Sequence, residues 1–203
     1  MTAAVVKPLI LASASPRRAQ LLEQIGLRFT VCVTDVDETV LSGEQPAAYV
    51  ARLAKAKAQA GFVPGSVSIG SDTTVTIDDE ILGKPRGLTE GVDMLLRLSG
   101  RRHEVLTAVA MCDGVQTLCE VVGAVVHFAK IDAATAERYW YTGEPADKAG
   151  GYGIQGIGGI FVQRLEGSYS AVVGLPVERT EHLLQALNID TWSMRKDGRR
   201  ITD

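Results

Sequence analysis

No run of about 18 apolar residues occurs in this sequence, so no segment of it reads as a membrane-crossing helix. Met1 to Lys7 lacks the basic stretch followed by a long apolar one that marks a secretory signal, and the expected location is the cytoplasm. Cysteine is scarce. Cys32, Cys112 and Cys119 are odd in number, match no zinc spacing and sit in apolar runs, which argues against a disulfide framework and a zinc site and for reduced core residues. A basic excess is missing too: 21 Lys and Arg against 24 Asp and Glu leave a net charge of −3. No overall field therefore draws nucleic acid, and a polyanion must be met by a local cluster. His103, His127 and His182 have no metal-ligand spacing, and each is expected to be structural or exposed. There is no internal repeat, low-complexity tract or linker composition. What is present is a 203-residue chain, 46% hydrophobic, enough for one large domain or two small ones with a real core.

The most informative stretch is Ser13-Ala14-Ser15-Pro16-Arg17-Arg18. It follows the apolar run Leu9 to Ala12 and precedes Leu21, Leu22 and Ile25, one face of a helix, so it reads as a strand-to-helix turn. Ser15 suits the N-cap and Pro16 the first helical position, where its missing N–H is no loss. Free N–H groups at the helix start beside two arginines make an anion site, most naturally for phosphate.

Along the chain, Gly26 closes that helix, and Leu27 to Val33 reads as a second strand. Thr34 to Gln45 is an acidic loop, and Pro46 opens a second helix through Ala60. Val67 to Val75 is a strand carrying Asp72, a carboxylate that must there be paired, metal-bound or in a cleft. Asp78-Asp79 predicts a hairpin turn into Glu80 to Leu82. Thr89 is expected to cap a third helix ending near Ser99-Gly100. His103 to Cys112 and Val115 to Phe128 form a hairpin about Asp113-Gly114, and Asp132 caps a fourth helix to about Tyr141. Gly143 to Gly159 holds seven glycines and is too long to be a passive connection. Ile160 to Leu165 and Tyr169 to Val173 read as strands, Pro176 to Leu187 as a last helix, and residues 190–203, with Arg195, Lys196, Arg199 and Arg200, as a polar, loose tail after a single domain over 1–189. Strand-helix alternation followed by hairpins gives an α/β fold with a mixed sheet flanked by helices.

The charged residues at element ends are Arg17, Arg18, Lys57, Lys84 and Arg86, with Glu38 and Asp72 as acids. That inventory suits a polyphosphate bound with a divalent metal, where cations offset phosphate charge and carboxylates hold Mg²⁺ or position a water. Taken singly, Lys57, Arg86 and Arg52 read as solvated surface charges. Asp35-Val36-Asp37-Glu38-Thr39 matches the Asp-x-Asp-x-Thr signature of haloacid-dehalogenase-type phosphatases, but that signature belongs on the first strand of a doubly wound sheet, and here a strand-helix unit precedes it. Gly153 to Gly159 lacks the strand and helix of a dinucleotide-binding loop. Gln155 within it carries an amide that both donates and accepts, as reading a base edge requires.

Together these residues resemble the Maf family of nucleoside triphosphate pyrophosphatases. The resemblance rests on Leu11-Ala12-Ser13-Ala14-Ser15-Pro16-Arg17-Arg18, Gly70-Ser71-Asp72-Thr73, Gly83-Lys84-Pro85, Ser99 to His103 and Glu144-Pro145-Ala146-Asp147-Lys148-Ala149-Gly150. It continues through Tyr152-Gly153-Ile154-Gln155-Gly156, Gly167-Ser168-Tyr169 and Val173-Gly174-Leu175-Pro176. It implies an elongated mixed sheet like that of the inosine triphosphate pyrophosphatases, a cleft between two lobes and a homodimer. It further implies a hydrolase, dependent on Mg²⁺ or Mn²⁺, that cuts a nucleoside triphosphate between its α- and β-phosphates, a house-cleaning activity with a possible link to cell-division arrest. The resemblance makes Asp72 the general base, Glu38 and Asp72 the metal carboxylates and Lys84 a catalytic cation, with Ser13, Arg17, Arg18, Lys57, Thr73 and Gln155 on the nucleotide. Thr73 after the aspartate, with Gln155, looks like the dTTP/UTP branch, whereas Gln at that position marks the 7-methyl-GTP branch. Ala124 and Ala129 depart from the family's usual Thr and Arg and bear on fine substrate preference. The alternative from another class is a non-catalytic nucleotide-binding regulator of septum formation.

Overall fold

The computed structural model describes residues 7–196. Its sheet has seven strands in the order β2-β1-β3-β5-β6-β7, with β4 paired to β3. The strands are β1 (Leu9–Leu11), β2 (Phe29–Val31), β3 (Val67–Ile77), β4 (Glu80–Leu82), β5 (Arg102–Cys112), β6 (Thr117–Phe128) and β7 (Val162–Gly167). The helices are α1 (Pro16–Gln24), α2 (Pro46–Ala60), α3 (Leu88–Leu98), α4 (Ala133–Trp140), α5 (Tyr169–Val173), α6 (Val177–Ala186) and α7 (Thr191–Lys196). The mixed sheet flanked by helices is the architecture the strand-helix pattern predicts. No helix among the described residues is long and apolar enough to cross a membrane.

The chain divides into two compact units, the first holding the described residues up to Asp72, Ala108–Val121 and the residues from Gly174, the second Thr73–Thr107 and Val122–Val173. In the first unit β1 pairs in parallel with both β2 and β3, placing Leu11 beside Val31 and Ile69. β1 is buried throughout, as a strand covered on both faces should be. The fully buried side chains of this unit include Leu22, Val50, Leu53, Ile69, Met111, Leu175 and Leu184. In the second unit Val75, Leu95, Leu98, Val126, Phe128, Tyr139, Tyr152 and Phe161 belong to one apolar cluster. The β3–β4 hairpin turns through Asp78 and Asp79, both at positive φ, as the paired aspartates predict. Asp132 caps α4 by accepting from the Thr135 N–H at 2.8 Å, also as predicted.

Other expectations fail for physical reasons. Tyr169–Val173 is a helix, not a strand: Ser168 Oγ accepts from the Ala171 N–H at 3.3 Å and starts it. α3 begins at Leu88 with Gly87 as its cap, while Thr89 lies inside it. Cys112 is buried, but Cys32 and Cys119 are half-exposed; all three thiols are unpaired. Part of the tail expected to be loose is α7, fastened by Arg195, which pairs with Glu181 at 2.6 Å and donates to the Ile25 carbonyl at 2.7 Å. Arg199 and Arg200 lie outside the described residues. Gly143 to Gly159 is shaped by 3₁₀ turns at Glu144–Asp147, Ala149–Gly151 and Ile157–Phe161.

Candidate active site

The parallel register explains why the first turn meets Asp72. With Leu11 opposite Ile69, β1 ends and Ser13 turns out of the sheet beside Ser71-Asp72, where β3 runs on to Ile77. Ser15 occupies the N-cap of α1 with extended backbone but makes no capping bond with its side chain. Ser13 Oγ instead accepts from the Ser15 N–H and from Arg18 Nη1, each at 3.1 Å. Arg18 Nε donates to the Gly174 carbonyl at 2.9 Å, and the Ser71 hydroxyl lies 2.9 Å from the same oxygen. Arg18 is thereby fixed against the strand that carries the aspartate.

Lys57 arrives from α2. A Cβ on Gly70 would fall 2.2 Å from the Ala54 carbonyl oxygen and 2.4 Å from the Ala58 nitrogen, so glycine alone lets α2 lie this close to β3. Lys57 then reaches two residues along, its Nζ 2.7 Å from Asp72 Oδ1 and 2.6 Å from Glu38 Oε1. Both Lys57 and Asp72 are buried, so the expectation that Lys57 is a solvated surface charge is corrected. Two carboxylates thus supply the partners that a buried lysine needs. Glu38 stands on the loop before α2, and that loop is braced by side chains the sequence reading gave no role. The Tyr49 hydroxyl donates to the Glu38 carbonyl at 3.0 Å, and Arg52 donates to the Thr39 carbonyl at 3.0 Å. Arg52 also grips both oxygens of Glu44 at 2.7 Å, holding that carboxyl down at about 2. Arg52 is thus a brace for this loop. The i,i+3 spacing of Tyr49 and Arg52 on α2 was the available signal.

Burial pushes the Asp72 carboxyl above the ordinary value; the Lys57 charge and hydrogen bond and the Arg18 charge oppose the rise, and the Glu38 charge adds to it. Burial likewise lowers the Arg18 guanidinium, while the charge of Asp72 works against that and the neighbouring Arg17 reinforces it. Ser13, Arg17, Arg18, Glu38, Lys57 and Asp72 therefore form one electrostatic group. No cluster of three or more His, Cys, Asp or Glu side chains suited to a metal occurs among the described residues. The Glu38–Asp72 pair fits a hard divalent cation nonetheless, because Mg²⁺ characteristically binds through one or two carboxylates and completes its shell with water and substrate phosphates.

Thr73, Lys84 and Gln155 stand on the second unit. Thr73 follows Asp72 on β3, so by strand alternation its side chain leaves the opposite face, and its hydroxyl lies 3.0 Å from that of Thr107. Lys84 is exposed on the segment after β4, which is pinned where the Gly150 N–H donates to the Gly83 carbonyl at 3.0 Å. Gln155 is exposed in the turn closed by the Gly156 N–H on the Gly153 carbonyl at 3.2 Å. Arg86 pairs with Glu90 on the surface at 2.9 Å. The Asp-x-Asp-x-Thr segment is an irregular loop in which Asp37 accepts from the Thr39 N–H at 2.9 Å.

Cations and helix-end N–H groups around two acids, one of them buried, define a protein that handles phosphorylated ligands. The family model for Maf-like proteins matches residues 8–187, and the chain belongs to that family. A protein of Pseudoalteromonas atlantica named dTTP/UTP pyrophosphatase is 50% identical over 187 residues, 89% of this chain and 97% of that one. Proteins of the same name from Saccharophagus degradans and Vibrio cholerae are 51% and 49% identical, over 91% and 88% of this chain and 90% and 97% of theirs. Among solved structures, the Ham1 protein of Staphylococcus aureus is similar at a TM-score of 0.44 and 16% identity, over 61% of this chain and 72% of that one.

Proposed function

We propose that this protein hydrolyses dTTP and UTP between the α- and β-phosphates, giving the nucleoside monophosphate and pyrophosphate. The observation that carries the reading is about 50% identity, over nearly the whole length of both chains, to proteins named for that activity. The geometry supports a mechanism. Asp72 accepts a proton from the attacking water, and the electrons of the breaking P–O bond leave with pyrophosphate. Burial makes its carboxylate a stronger base than an exposed one, while Lys57 and Arg18 favour its ionised form. Arg17, Arg18, Lys57 and Lys84 offset the charge gathering on the leaving group. Arg18, already bonded to Ser13 and Gly174, spends little further entropy in doing so. Glu38 and Asp72 would hold Mg²⁺ or Mn²⁺, which when bound draws charge off the phosphoryl oxygens. Gln155 sets the base preference, and Thr73, which leaves β3 on the face opposite Asp72, acts on it through its neighbours, not by contact with the base. The same reading makes the protein a cytoplasmic, metal-dependent homodimer.

The test is product analysis on purified protein with dTTP, UTP, 7-methyl-GTP and the other common triphosphates, with and without Mg²⁺. Monophosphate and pyrophosphate in equal amounts, fastest from dTTP and UTP and only with metal, is the expected result. Release of inorganic phosphate would overturn the bond assignment. Tight nucleotide binding with no product would make the protein a nucleotide-binding regulator instead.

A further inference from the structure

The turn that presents Gln155 is held from behind by one carboxylate. Glu144 Oε1 accepts from the Tyr139 hydroxyl at 2.6 Å and from the Gly158 N–H at 2.9 Å, and Glu144 Oε2 accepts from the Ile157 N–H at 2.8 Å. The Tyr139 oxygen in turn accepts from the Gly153 N–H at 3.1 Å. Backbone on both sides of Gln155 is thus tied to a single Glu144–Tyr139 pair. A Cβ on Gly156 would lie 2.1 Å from Glu144 Oε2, and one on Gly158 would lie 2.5 Å from the Tyr139 oxygen, so the turn is drawn onto the pair as closely as glycine allows. The Tyr139 ring is anchored in the core, edge-on to Phe161 at 5.1 Å. Partial burial would raise the Glu144 carboxyl, but the Tyr139 hydroxyl and the two N–H donors outweigh it, and the group is held below the usual carboxylate range. It is therefore an ionised acceptor at neutral pH.

We infer that Glu144 is a positioning residue for substrate choice, fixing through its bonds to residues 157 and 158 the backbone from which Gln155 meets the base. The inference rests on the reading of Gln155 given above. An amide reads a base edge only if both its donor and its acceptor are aimed, and a turn that wanders gives up that alignment. Glu144→Gln keeps the shape of the side chain but sets an NH₂ either against the Ile157 N–H or against the Gly158 N–H and the Tyr139 hydroxyl, so at least one bond of the clamp is lost whichever way the amide is turned.

The experiment compares wild type, Glu144→Gln, Tyr139→Phe, Gln155→Ala and the Glu144→Gln/Gln155→Ala double variant, measuring kcat and KM for dTTP and dGTP. Amide hydrogen exchange at Ile157 and Gly158 and the melting temperature are recorded alongside. Glu144→Gln is expected to raise KM for dTTP roughly tenfold, the worth of about one hydrogen bond, with a smaller change in kcat and a matching fall in the dTTP-to-dGTP preference. Exchange at Ile157 and Gly158 should quicken. Tyr139→Phe should move each readout the same way, and the double variant should discriminate no worse than Gln155→Ala alone. If Gln155→Ala weakens discrimination while Glu144→Gln and Tyr139→Phe leave it intact, the positioning role is wrong and the reading of Gln155 survives. If Gln155→Ala also leaves it intact, both fall. Equal loss with dTTP and dGTP, or additive effects in the double variant, also overturns the inference.

Discussion

His103 sits between Phe128 and Tyr152, its ring edge-on to theirs at 4.9 and 5.4 Å, and is 3% exposed. Its Nε2 meets the Tyr152 hydroxyl at 2.7 Å, while Nδ1 is buried with no partner among the described residues. A proton there meets almost no solvent and, among the described residues, no hydrogen-bonding carboxylate. Burial, helped by the nearby His127, lowers the imidazole from 6.5 to about 4. The folded state therefore prefers the neutral ring more than the unfolded chain does. The stability this contributes is complete above the unfolded value and is lost as pH falls through the window from 6.5 to about 4. At about 1.4 kcal/mol per unit, wild type gives up about 2 kcal/mol by pH 5 and about 3 kcal/mol below pH 4 relative to a chain with no group to titrate there. His103→Gln supplies that reference, since the amide still bonds the Tyr152 hydroxyl and does not ionise. Guanidinium unfolding of both proteins at pH 8, 6 and 5 should show the stability difference moving by about 2 kcal/mol against wild type across that range. A difference constant to within about 0.5 kcal/mol would show that His103 is not held neutral by burial, and the account of this core would fail.

Asp72→Asn should lower kcat at least about a hundredfold, the usual worth of a general base, while the affinity for a non-hydrolysable dTTP analogue changes little. Near-normal turnover with dTTP would remove Asp72 from the base role. Gly70→Ala should cost at least about 1–3 kcal/mol in thermal unfolding, because its methyl must push α2 off β3, and turnover should fall with it as Lys57 is carried away from Asp72. An unchanged melting temperature and kcat would mean that the close approach is not needed.

Much of the fold was legible because local signals agreed with the tertiary outcome. Pro46 and Gly61 bound α2 at the residues expected, Asp132 caps α4, and Asp78-Asp79 turns the β3–β4 hairpin. The misses have separate causes. Tyr169 to Val173 has strand composition but follows a serine that caps it as a helix. α7 has a local start signal in Asp190, whose side chain accepts from the Ser193 N–H at 3.0 Å, but its attachment is not local: Arg195, over the Trp192 ring at 4.8 Å, pairs with Glu181. In the site, the residue types were readable and the pairing was not. Lys57 taken alone reads as surface, because only the parallel register and Gly70 bring it to Asp72. The brace of Tyr49 and Arg52 shows in sequence only as an i,i+3 spacing on α2, and the clamp of Tyr139 and Glu144 acts on the backbone of residues 153, 157 and 158, which leaves no charge or spacing signature.

The position of Lys57 bears on the metal as well as on phosphate. Its ammonium occupies Asp72 Oδ1 and Glu38 Oε1, oxygens of the same two carboxylates that suit a divalent cation. An ammonium and a cation compete for such a pair, so with Lys57 in this position Mg²⁺ alone should bind weakly. A phosphate that draws Lys57 toward itself would release carboxylate oxygen, and metal and nucleotide should then bind cooperatively. Lys57→Met removes the competitor and keeps most of the buried stem. Calorimetry with Mg²⁺ and no nucleotide should therefore show tighter binding than in wild type, by about tenfold or more for the loss of a charge-assisted contact, while turnover drops because a phosphate-facing cation is gone. Opposite movement of metal affinity and rate is the signature of this competition. If Lys57→Met weakens Mg²⁺ binding or leaves it unchanged while turnover falls, the lysine does not contend with the metal, and Glu38 and Asp72 are not the carboxylates that hold it.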